Sequence, residues 1–73
     1  MDRDLLESEV RLLHIGVLES RSLIDKHRCL IAELEEVGRD TAAAKAELDA
    51  LRHQLRLREA DLDRVRTKRG QVE

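Results

Sequence analysis

Ile31-Ala32-Glu33-Leu34-Glu35-Glu36-Val37-Gly38-Arg39-Asp40-Thr41-Ala42-Ala43-Ala44-Lys45-Ala46-Glu47-Leu48 is the stretch that decides the fold. Its flanks are rich in Ala, Leu, Glu and Lys, which lose little on entering a helix, and only the centre departs from that pattern. Gly38 can take the left-handed conformation that closes a helix, and Asp40 or Thr41 can accept from the free amides that open the next one. A helix stop followed at once by a helix start sends the second helix back along the first. The expected elements are helix 1 at about 4–37, a turn at 38–40 and helix 2 at about 41–69. At the far end, Asp4 followed by Glu7 reads as an N-cap close to a capping box.

Outward from the turn, seam positions recur at alternating steps of three and four. Helix 1 carries Leu6, Val10, Leu13, Val17, Ser20, Ile24, His27, Ile31 and Leu34, and helix 2 carries Ala44, Leu48, Leu51, Leu55, Arg58, Leu62 and Val65. This is a heptad seam with β-branched residues at every a position of helix 1. An antiparallel pairing brings layers together at a nearly constant sum of residue numbers. Leu34 with Ala44, Ile31 with Leu48, His27 with Leu51, Ile24 with Leu55, Ser20 with Arg58, Val17 with Leu62 and Leu13 with Val65 all sum to 78 or 79. On the flank, Glu35 faces Lys45 and Arg21 faces Glu59, while Arg28 faces Arg52 and His14 faces Arg66. Such surface pairs contribute some tenths of a kcal/mol each.

Composition agrees. The chain has 73 residues, 41% of them charged, with no proline, no aromatic residue and one cysteine. That reads as a single helical-hairpin domain over 1–73 rather than a compact enzyme, since large aromatics, disulfides and metals are missing as sources of stability. Residues 1–37 carry 5 basic and 9 acidic side chains and residues 38–73 carry 9 and 7, so the two halves attract weakly. Cys29 has no partner for an internal disulfide. No apolar run is long enough for a membrane span and Met1-Asp2-Arg3-Asp4 lacks the form of a signal peptide, so the expected location is the cytoplasm.

A second apolar face follows from the wheel. Leu5, Leu12, Leu23, Leu30 and Val37 of helix 1 and Ala43, Ala50 and Leu57 of helix 2 lie to one side of the seam, with Gly16 opening a gap. Two helices cannot cover that side themselves. The economical answer is an all-α antiparallel hairpin, a short coiled coil, that pairs with a second copy into a dimeric four-helix bundle about 50 Å long. Leu12, Leu23, Leu30, Val37, Ala50 and Leu57 are the expected dimer interface.

The run from Ile31 and Leu34 through Gly38-x-Asp40-Thr41 to Ala44 and Leu48, continuing past Leu55 and Leu57 to Asp61, Asp63 and Arg64, resembles short bacterial helical-hairpin proteins of uncharacterised function. The resemblance spans about two thirds of the chain and is most specific at the Gly-x-Asp-Thr turn. It implies an αα-hairpin and supplies no activity.

Few residues suggest chemistry. His27 and Cys29 fall about 200° apart on a helix and cannot share one ion, and His14 and His53 do not join them. No Glu-x-x-His pair, catalytic triad or glycine-rich phosphate loop is present, and no metal or cofactor is expected. His27 in the seam reads as a polar residue that sets register. Ser20 opposite Arg58 forms a polar layer, with Arg58 expected to turn its guanidinium outward toward Glu19 or Asp61 while its stem packs on Val17 and Ile24. Arg56, Arg64, Arg66 and Arg69 are candidate phosphate contacts, but interleaved acids and the lack of stacking aromatics weigh against nucleic acid. Ile15, Leu18 and Cys29 lie outside both faces and suit a shallow docking site for a partner protein. The expected function is a non-catalytic interaction or assembly module that homodimerises and serves a protein partner; the alternative is a small RNA-binding hairpin.

Overall fold

The computed structural model describes residues 3–72 and consists of two antiparallel helices, α1 (Arg3–Glu36) and α2 (Ala42–Val72). Met1, Asp2 and Glu73, the ends of the expected 1–73 domain, lie outside the described residues. The backbone measures 55 × 14 × 12 Å with a radius of gyration of 16.7 Å. A compact globule of this length would have a radius of about 11 Å, so the molecule is a rod.

The turn is wider than expected at both sides, spanning residues 37–41 instead of 38–40. Gly38 has φ 73°, the left-handed region that a side chain disfavours. Its amide donates to the Glu35 carbonyl at 3.1 Å, and the Arg39 amide donates to the Leu34 carbonyl at 2.8 Å. This pair of bonds satisfies carbonyls that the end of a helix leaves free, the Schellman arrangement. Two residues later the Ala42 amide donates to Asp40 Oδ1 at 2.9 Å, and the Lys45 amide donates to the Thr41 carbonyl at 2.9 Å. The aspartate side chain therefore opens α2, and Thr41 contributes its backbone alone. At the other end α1 begins at Arg3, one residue before the expected cap, so Asp4 lies within the first turn, where its charge still favours the helix dipole. Arg3 reaches Glu7 at 3.3 Å. α2 continues beyond the expected residue 69 to Val72, running through Gly70 with Arg69 in its last turn.

The seam lies where its spacing puts it. Val10, Val17, Ile24 and Ile31, the β-branched row, are all buried, as are Leu6, Leu48, Leu62 and Val65. Leu13, Leu34, Leu51 and Leu55 are half-buried between them. Each full burial stabilises the hairpin by about 1.5–3 kcal/mol relative to exposure. The core divides in two: Leu6, Val10, Val17, Leu62 and Val65 toward the open end, and Ile24, Ile31 and Leu48 toward the turn, with Leu55 packing on both. Between the two halves sits Ser20, fully buried. Among the described residues no helix is long and apolar enough to cross a membrane.

Candidate interaction surface

Apolar side chains that the hairpin leaves in solvent form one side of the rod. Leu5, Leu12, Leu23 and Leu30 of α1 and Val37 just past its end are 42–70% exposed, and Leu57 of α2 is 55% exposed, with Ala43 and Ala50 in line with it. The four on α1 fall within about 20° of one another around the helix, so they form a straight row along it that Val37 extends. On the opposite side and back of α1, Ile15, Leu18 and Cys29 are also exposed but stand apart from that row. The chain exposes 5497 Å², against roughly 4600 Å² for a compact monomer of 8.4 kDa.

At the middle of the row the structure departs from expectation. Arg58 does not turn outward to Glu19 or Asp61. Its Nη1 donates to Ser20 Oγ at 2.7 Å and to the Gly16 carbonyl at 2.8 Å. Two features direct it inward. The buried Ser20 hydroxyl and the Gly16 carbonyl lie one turn apart on α1 and offer Nη1 two acceptors at once. Asp61, one of the expected outer partners, is held by Arg64 on the same helix. The guanidinium thus satisfies the one buried polar side chain of the seam, and among the described residues no buried side-chain nitrogen or oxygen lacks a partner.

His27 is positioned by the same logic. It sits in the seam, and its Nε2 lies 2.9 Å from the Ala44 carbonyl and 3.3 Å from a Glu47 carboxylate oxygen. Both partners only accept, so Nε2 carries the proton, which the neutral tautomer supplies as well as the imidazolium does. The contact ties α1 to the first turn of α2 and so sets register. Glu47 was not among the residues singled out from sequence; the signal for it was its place one turn before Leu51, the layer partner of His27.

On the other flank, Arg21 pairs with Glu59 at 3.1 Å as the register requires, whereas Glu35 and Lys45 do not come within ion-pair distance. Arg28 and Arg52 line one shallow groove with Lys45 and Asp49 over Ile31 and Leu48, and His14 and Arg66 line another with Arg21, Glu59 and Asp63. Each groove also holds acids of α2, Asp49 in the first and Glu59 and Asp63 in the second.

The four arginines considered for phosphate contact do not share a face. From Arg56, Arg64 lies about 80° around the helix one way and Arg66 about 80° the other, with Arg69 farther still. Arg64 is paired with Asp61, Arg66 stands beside two acids, and Arg69 is half-buried. Among the described residues no three His, Cys, Asp or Glu side chains gather into a group that could hold a metal ion. Comparison with family models, with curated proteins and with solved structures finds no match to this chain, so any reading of its function rests on its residues and their geometry.

Proposed function

We propose that the chain is a non-catalytic interaction or assembly module that acts as a homodimeric four-helix bundle. The observation that carries this reading is the straight row of exposed leucines and valine beside the seam, Leu12, Leu23, Leu30 and Val37, joined by Ala50 and Leu57. A row of this length in solvent is unfavourable for a lone hairpin, and a second hairpin laid on it removes the cost. The surface in excess of a compact monomer, about 900 Å², is close to the roughly 800 Å² per partner that a standard interface covers. The grooves on the far flank, with Leu18 and Ile15 behind them, stay open in such a dimer for another protein.

Light scattering tests the proposal. The expected molar mass is twice the 8.4 kDa of one chain, constant over a wide range of concentration. Leu30→Glu places a carboxylate in the covered row and should give a monomer of reduced helicity. Leu18→Glu, on the outer surface at a similar exposure, should leave the mass of the dimer unchanged. A dimer that survives Leu30→Glu would move the interface elsewhere.

A further inference from the structure

Resting on the dimer reading, we infer that the second copy docks antiparallel, turn to open end, about a two-fold axis at residue 21 of α1 and between residues 57 and 58 of α2. One pattern on each helix agrees with this axis. On α1 four of the five residues of the exposed row pair when reversed, Leu5 with the partner's Val37 and Leu12 with the partner's Leu30, both centred on position 21, while Leu23 comes level with the partner's Glu19. On α2 the charges are complementary when reversed: Glu47 meets the partner's Lys68, centred between positions 57 and 58, which brings Leu57 beside its own copy. Positions 21 and 57–58 sum to 78 or 79, the layer sum of the hairpin itself. They therefore stand at one level of the rod, as a single axis requires.

The opposite docking, with both turns at one end, fails on Glu47. This residue stands between the exposed row of α1 and the Ala43, Ala50 and Leu57 row of α2, with its side chain 72% exposed. With the turns together the layer sum sets Leu30 between the partner's Glu47 and the partner's Ala50, Leu12 between the partner's Arg64 and the partner's Lys68, and Leu5 past the partner's Gln71. A carboxylate pressed on leucine loses its water without gaining a partner. With the turns apart the carboxylate gains an ammonium, and every exposed leucine at the open end gains an apolar neighbour. The one like-charge meeting, Glu9 with the partner's Glu33, falls beside Lys68, which lines the same groove as Glu9.

The test places a nitroxide at the turn, using Arg39→Cys in a Cys29→Ser background. Arg39 takes part in the turn through its backbone amide and its side chain is exposed, so the label leaves the turn bonds in place. Pulsed dipolar spectroscopy and light scattering are run on the same sample. Antiparallel docking separates the two turns by about 54 Å, from 18 residues on each side of the axis at roughly 1.5 Å per residue. A dimer mass with a distance near that value is the expected result. A dimer mass with turns about 20 Å apart, two helix spacings, overturns the antiparallel docking and leaves the dimer standing. A monomer mass overturns both.

Discussion

Replacing the polar layer at mid-rod measures what the arginine contributes. In Arg58→Leu the two bonds from Nη1 to Ser20 and Gly16 are lost. Bonds from a charged donor are worth about 1.5–3 kcal/mol each, an upper limit of roughly 3–6 kcal/mol. Against that stand about 2 kcal/mol of arginine side-chain entropy and the partial loss of its hydration, which leucine does not incur. The buried Ser20 hydroxyl then faces leucine, although it can turn to the Gly16 carbonyl one turn back. The balance is a loss of about 1.5 kcal/mol, or a fall in Tm of roughly 6–12 °C for a chain of this size. Adding Ser20→Ala removes the hydroxyl left facing leucine, so the double variant should recover to wild-type stability or above it. The four proteins form a cycle, with an expected coupling of about 1–2 kcal/mol. Thermal and urea unfolding followed by far-ultraviolet circular dichroism, at one fixed chain concentration because association contributes, reads each corner. An Arg58→Leu variant as stable as wild type, or effects that add within about 0.5 kcal/mol, would refute the argument.

The glycines give two further predictions. Gly16→Ala should stabilise the protein by about 0.5–1 kcal/mol, because α1 gains a better helix former and the new methyl meets Arg58 at ordinary contact distances of 3.8 and 3.9 Å; a drop in Tm would mean that the arginine needs more room than the geometry gives it. Gly38→Ala should cost about 1–2 kcal/mol through φ 73° alone, since nothing lies within 4 Å of the added Cβ. Gly38→Asn should recover much of that loss in the same unfolding assay, and equal losses for the two would point to something other than backbone conformation.

The seam and the turn were legible because each rests on a short-range rule. Val17 and Ile31 are buried because steps of three and four keep them on one line of the helix, and Gly38 ends α1 because few other residues take its φ. The antiparallel register was legible as arithmetic, and the Ser20–Arg58 and Arg21–Glu59 contacts fall where it put them. Less could be read where a long side chain chooses among acceptors. Spacing tells how far Arg58 reaches, but not that the Ser20 hydroxyl and a main-chain carbonyl are taken in preference to a carboxylate on the surface. The same holds for His27, whose ring takes a main-chain carbonyl, a group that the amino-acid sequence does not distinguish from any other. Asp4 has the residue type of a cap, yet α1 includes Arg3 before it. The exposed row follows from the helical wheel; its straightness from Leu5 to Leu30 comes from one step of eleven residues between two heptads, which offsets most of the drift of a seven-residue repeat.

The constant layer sum also orders the contacts in time. Leu34 and Ala44 are 10 residues apart along the chain, Leu13 and Val65 are 52 apart, and every pair between is nested inside the next. Once the Gly38 turn has formed, each layer is brought within reach by the one before it, so the chain never has to close a long loop at a single step. A two-helix rod joined at one end can therefore assemble like a zipper from the turn, and the helix ends farthest from it are the last to close and the first to open.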